Sequence, residues 1–322
     1  MSITVDEESE RIIFDYNEIG FSLSDIKALT KFGDSNKKGI FDEMSEDGAF
    51  DIEKTGRKGR GFKSVFSLPG SGIVVHIASR GFTFKFVKQL GSIIPIWEDV
   101  DDAPKFGTRI IIEGFTPNYM DSLYENINQM FGVTDILSFC SVCPILYLRK
   151  LNKVSVQKGK EEFSVEITPQ KKVFSNERYT CQNTITGAVV SGKEYRTSLW
   201  ENIHVSVIVN RKKTWFEAVR YSAMFDQGRT TKIASVFAPV ILRDSKVTFK
   251  KGSIFRTLPL SNHVFSIPLS INAPFVVNSG RTAIDDSKEY NVSTHEFVFG
   301  ALLTGFYEHL RTIKNINIES YI

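Results

Sequence analysis

The sequence predicts an α+β protein, in which a sandwich of a mixed sheet with helices on one face is followed by a second, α/β domain. Three observations predict it. A glycine cluster, Gly56, Gly59 and Gly61, opens directly onto apolar residues at helical spacing. Strand-like runs with turn residues between them follow it closely, and from about Pro144 the pattern changes to longer alternating strands that end in an amphipathic helix. A chain of 322 residues suits about two domains of roughly 100–200 residues each, and the division is drawn at 1–132 and 133–322.

The opening reads as a hairpin: Ile3 and Val5 alternate on one strand, Asp6, Glu7 and Glu8 make an acidic turn, and Ile12 to Phe14 form the return strand. Ser22 has the character of a helix N-cap, with Asp25 three positions on as the acid of a capping box and Ile26, Leu29 and Phe32 at helical spacing. Gly33 to Thr55 shows no period and is longer than an ordinary loop. Phe62, Val65 and Phe66 have the spacing of a short helix. Four strands are expected at Ile73–Ala78, Phe82–Val87, Ile93–Trp97 and Thr108–Glu113, then a helix over Met120–Met130. Strands at Ile145–Leu148, Val154–Val156, Phe163–Ile167 and Ile203–Val209 follow, then a helix around Trp215–Tyr221 and a strand at Ile233–Phe237. Thr294 to Ile313 carries Phe297, Ala301, Leu302, Phe306 and Leu310 on one face and is the clearest amphipathic helix.

Composition excludes several classes. With 42% hydrophobic and 24% charged residues the chain is neither disordered nor fibrous. Forty basic against 37 acidic residues give a net charge of +3, which makes no electrostatic case for nucleic acid. The odd cysteine count, three, fits a reducing compartment, and the lone pair Cys140 and Cys143 is expected to be buried thiols rather than metal ligands. No apolar run reaches the ~18 residues of a membrane span, and Met1 to Arg11 is too charged for a signal peptide, so an intracellular location in cytoplasm or nucleus is expected. The five histidines show no metal spacing.

The stretch from Gly56 to Phe66 bears the most chemistry. Glycines at this spacing let backbone approach an anion without a Cβ clash, and the amides and dipole of a following helix favour negative charge, so the segment is a candidate phosphate cradle. It ends without the Gly-Lys-Ser/Thr of a Walker loop. The block Gly56-Arg57-Lys58-Gly59-Arg60-Gly61-Phe62-Lys63-Ser64-Val65-Phe66 resembles the signature of GHKL ATPases in the NO VEIN and sacsin branch. Asn17-Glu18-Ile19-Gly20-Phe21 resembles that branch's adenine-side turn, and Gly33-Asp34-Ser35-Asn36-Lys37-Lys38 resembles the start of its ATP lid. Pro268 to Phe275 with Ser279-Gly280-Arg281 resembles its post-ATPase block.

The resemblance implies ATP as ligand, a transducer-like second domain, and cofactor contacts from Asp15, Asn17, Gly20, Ser35, Lys37, Gly56, Gly59, Gly61, Phe62 and Lys63, with Arg281 reaching the terminal phosphate. It also implies a homodimeric closed state and chaperone-like or chromatin-associated work on a protein client. Two departures qualify this. The helix that supplies the family's Glu base and Mg²⁺-holding Asn is expected before the opening hairpin and is not in the sequence, so no catalytic residue is assigned and Mg²⁺ is expected only where such a helix is present upstream. The family's adenine-reading Asp or Asn position holds Tyr16, which leaves Asp15 as the neighbouring carboxylate. The expected function is a nucleotide-dependent conformational clamp, the alternative a pseudo-ATPase interaction protein without turnover.

Overall fold

A computed structural model describes residues 1–22, 25, 62–79, 82–90, 92–98, 107–148, 151–175, 195–226, 231–240, 252–256, 258–265, 269–278, 280 and 282–313. The hairpin forms as its alternation dictates. Strands β1 (Ser2–Asp6) and β2 (Arg11–Tyr16) pair antiparallel, and Asp6 closes the acidic turn by accepting from Arg11 Nε at 2.8 Å. At the predicted cap, Ser22 and Asp25 bond reciprocally: Ser22 N–H donates to the Asp25 carboxylate at 2.8 Å, and Asp25 N–H donates to Ser22 Oγ at 3.3 Å. The apolar spacing after the glycines makes a 3₁₀ turn, Phe62–Ser67.

Strands β3 (Gly70–Ser79), β4 (Phe82–Gln89), β5 (Ser92–Trp97) and β6 (Thr108–Phe115) follow as expected, then helix α1 (Pro117–Phe131), which starts on a proline whose missing N–H costs nothing there. Helix α2 (Ile136–Val142), which no periodicity announced, carries Cys140. The long strands are β7 (Lys153–Lys158), β8 (Glu161–Ser175), β9 (Tyr195–Val209), β10 (Lys212–Asp226) and β11 (Thr231–Pro239), and three shorter ones are β12 (Gly252–Arg256), β13 (Leu258–Phe265) and β14 (Ser270–Asn272). The terminal helix runs as α3 (Glu289–His295), a π-helical stretch Glu296–Leu302 and α4 (Leu303–Leu310).

Among the described residues fourteen strands belong to one sheet, in the order β13-β12-β14-β11-β10-β9-β8-β7-β1-β2-β6-β3-β4-β5. Neighbours are antiparallel except β1 beside β7 and β12 beside β14. Register assigns the faces. Ile3, Val5, Ile12, Val75, Phe86, Val154, Val165, Val205 and Phe237 share one face and one core with α1, α2 and the Phe62–Ser67 turn. Trp200, Val219, Tyr221, Val236 and Ile271 point the other way into a second core under the C-terminal helices. Within β9 and β10 the covered face therefore changes, and at β10 and β11 both faces are covered.

This corrects the expected fold class. The chain is not an α+β sandwich with helices on one face followed by an α/β domain. It is mostly one large mixed sheet with few helices, and they lie on both faces. Two element expectations fail for related reasons. The supposed helix around Trp215–Tyr221 lies in β10: Ala218 faces one core and Val219 the other, so burial on both faces replaces alternation with a run that imitates helical spacing. The supposed strand Ile145–Leu148 is a 3₁₀ turn, Pro144–Leu146, buried throughout, where a short apolar run carries no period to distinguish it. A buried ion pair ties it to the sheet: Arg220 Nε donates to Glu201 at 2.7 Å and Arg220 Nη1 to the Leu146 carbonyl at 3.1 Å. No helix among the described residues is long and apolar enough to cross a membrane.

Candidate functional site

Asn17 to Phe21 is a turn seated on the sheet end where β2 stops, β6 starts and β3 stops. Its seat is a row of side chains in register on the inner face: Tyr16 lies opposite Thr108, Thr108 opposite Ser79, and Ser79 opposite Phe82. Ser79 and Thr108 are 0% and 2% exposed, so their hydroxyls must find partners. Phe21 N–H donates to Ser79 Oγ at 2.9 Å, Ser79 and Thr108 share a 2.8 Å bond, and Thr108 Oγ1 donates to Glu18 Oε1 at 2.6 Å. The Ser79 proton goes to Thr108, since the competing Gly107 carbonyl is 3.4 Å away. Each group thus donates to the next, from backbone amide through two hydroxyls to a carboxylate.

Backbone shape permits the seat. Gly20 has φ 93° and Gly107 φ 84°. A Cβ on Gly107 would come within 1.9 Å of the Tyr16 carbonyl oxygen, so only glycine lets the start of β6 pass under the turn. Burial first, then the Glu18 carboxylate, pushes the Tyr16 phenol above its ordinary value, and its ring stacks on Phe14 at 6.4 Å. Ile19, at 82% exposure, forms an apolar lip beside Glu18.

Of the residues that the sequence nominated, Asn17 and Gly20 belong to this turn, with Asn17 exposed. Asp15 does not face it. Its register places it on the opposite face, where Arg109 Nε and Nη2 bond its two oxygens at 2.7 and 3.4 Å. Phe62 packs edge-on against Phe86 at 5.1 Å, and Phe21 packs against the same core, so the turn and the segment that follows the glycines share one hydrophobic support. Lys63 is half-buried on the 3₁₀ turn. Ser35, Lys37, Gly56, Gly59, Gly61 and Arg281, like the lid from Ile40 to Thr55, lie outside the described residues.

Sequence reasoning missed Glu18 as an anchored group, and Ser79, Thr108 and Gly107 altogether. The signal was faint: a Gly-Thr pair at a strand start and a serine at a strand end are ordinary boundary residues until register brings them together.

Two other features lie away from this turn. A cavity of about 310 Å³ opens at the far end of β3, lined by Phe66, Leu68, Ile73, Val87 and Lys88. On the outer face His76 lies between two carboxylates, Nδ1 3.0 Å from Glu98 and Nε2 2.9 Å from Glu113. Burial would raise Glu98, but its bonds from Lys85 and His76 outweigh this and hold it below the ordinary range. Among the described residues no His, Cys, Asp and Glu grouping could hold a metal ion.

No family model matches the chain. It is similar to Protein NO VEIN of Arabidopsis thaliana, 25% identical over 288 residues that make up 85% of this chain and 9% of that protein. The chain thus spans about a tenth of the length of the curated relative that it matches. This is a distant similarity to NO VEIN over most of the chain.

Proposed function

We propose that this chain binds ATP as a GHKL-type relative of NO VEIN and uses the nucleotide as a conformational clamp. The observation that carries the reading is the order of the blocks Asn17–Phe21, Gly33–Lys38, Gly56–Phe66 and Pro268–Arg281, which succeed one another as they do in that branch. The similarity to NO VEIN across 85% of the chain supports it, as does the common hydrophobic support of Phe21 and Phe62. In this reading the amides from Gly56 to Gly61 and Lys63 hold the phosphates. Ser35 and Lys37 belong to the lid, Arg281 meets the terminal phosphate, and the closed state is a homodimer.

Calorimetric titration with ATP tests the reading. The unaltered chain should bind ATP in a saturable titration. Gly59→Val should abolish binding, because a side chain there fills the space of the phosphates. Absence of binding by the unaltered chain, or full binding by Gly59→Val, would overturn the reading. One observation favours the rival, a nucleotide-independent interaction protein: both oxygens of Asp15 are already taken by Arg109.

A further inference from the structure

We infer that the cavity at the far end of β3 is a binding site for a small monoanionic amphiphile, a medium-chain carboxylate of about eight carbons. The inference stands apart from the nucleotide reading: the Asn17–Phe21 turn is bonded to Ser79 at one end of β3, and the cavity lies at the other. Three observations carry it. The side chains of Phe66, Leu68, Ile73, Val74 and Val87 make apolar walls, and among the described residues Lys88 is the one charged residue that lines the space. Lys88 is exposed and makes no ion pair with a described residue, while the acid across the sheet from Val74, Glu113, is engaged by His76 at 2.9 Å. The volume, about 310 Å³, holds roughly ten water-sized groups at about 30 Å³ each, which is the size of octanoate.

The cavity is built by the backbone. The β3–β6 ladder runs in register from Ser79 to Val74 and then breaks, so that Ser71, Gly72 and Ile73 stand against Gly114 alone before Gly70 pairs with Phe115. The β3–β4 ladder ends at the same place, on Val74 opposite Val87, which leaves Gly70 to Ile73 without partners in β4 and opens a gap between the strands. Glycines hold this bulge: Gly72 has φ 104° and Gly114 φ 88°, and a Cβ on Gly70 would lie 2.2 Å from the Gly114 carbonyl oxygen. The space is therefore formed before a ligand arrives. An alkyl chain gains by leaving water for the apolar walls, whereas a carboxylate cannot be buried without a partner, so the chain lies inside and the head meets Lys88. One lysine balances one charge, which selects a monoanion.

The test is an NMR titration of the full chain with sodium octanoate, read on the methyl groups of Leu68, Ile73 and Val87. Their shifts should move together and saturate with a Kd on the order of a millimolar. Affinity should rise roughly three- to fourfold with each methylene from butyrate to octanoate and gain nothing at decanoate, because the cavity is then full. Octylammonium should bind roughly three- to tenfold more weakly than octanoate. Lys88→Glu should reverse that order, and added salt should narrow it. Leu68→Trp fills the space and should abolish octanoate binding. Melting temperature monitors folding, and Lys88→Glu, an exposed change, should leave it unmoved, so the charge comparison stands whether or not Leu68→Trp folds. No saturable movement of these methyl groups, an affinity that keeps climbing past octanoate, or an undiminished preference for octanoate in Lys88→Glu would each overturn the assignment.

Discussion

Arg220 is the side chain whose loss would be felt most sharply. Glu201 is 2% exposed and takes a 2.7 Å bond from Arg220, so Arg220→Met would take the charged partner from a buried carboxylate. Breaking such a pair costs about 3–5 kcal/mol. Denaturant titration should show that loss for Arg220→Met, and much less for Arg109→Met, whose partner Asp15 is partly exposed and can turn to water. The two thiols on and beside α2 behave oppositely to reactive cysteines. Burial pushes Cys140 and Cys143 well above the ordinary range, and Ser270 Oγ donates to the Cys140 carbonyl, pinning the helix to β14. A raised native pKa means that the stabilisation is complete below the unfolded thiol value of about 8.5 and is lost as pH climbs above it. Stability should therefore fall above that pH, and Cys143→Ala should flatten the decline; an unchanged slope would contradict the burial argument. Alkylation of the native protein should spare both positions, as peptide mapping would show.

The edge strand β5 manages its exposure with one residue. It is the last strand of the sheet among the described residues, and Trp97 and Ile96 on it are 58% and 41% exposed. Glu98 N–H donates to the Thr83 carbonyl at 3.0 Å, so alternation turns the backbone of Trp97, Pro95 and Ile93 outward. Pro95 removes the middle N–H from that free edge, a device against strand pairing between chains. Pro95→Val should promote self-association in light scattering, and a monodisperse variant would refute the role. At the tip of the β9–β10 hairpin, Asn210 and Arg211 have φ 46° and 68°. Asparagine tolerates this and arginine does not, so Arg211→Gly should stabilise by roughly 0.5–1 kcal/mol, net of the freedom that glycine adds to the unfolded chain. At this scale the sequence was informative wherever one face was wet. The hairpin β1–β2, strands β3 to β6 and helix α1 alternate or repeat cleanly and form as expected. It was uninformative where both faces are covered, at β10, or where a buried turn such as Pro144–Leu146 offers no wet side to set a period.

The fold class failed at the scale of the whole molecule, because strand order is not a local property. Nothing in Ser2–Asp6 announces that it pairs parallel with Lys153–Lys158, yet that pairing joins the two stretches of sheet into one. The turn at Asn17–Phe21 was legible as a block, but its hydroxyl seat was not, since Ser79 and Thr108 meet only through the register of β3 and β6. Lys158 reinforces the junction, with Nζ 3.1 Å from Glu7 and 2.5 Å from Asp121. Removing residues 1–6 should therefore uncouple the sheet and turn one cooperative thermal transition into two; a single transition at a lower temperature would show that the remaining contacts suffice. The same strand has a further consequence in time. Val5 is synthesised 153 positions before Lys158, its partner in register. At roughly 5–20 residues per second, β1 waits about 8–30 s with one side covered by β2 and the other bare. During synthesis that unpaired edge is a period of vulnerability to pairing with other chains.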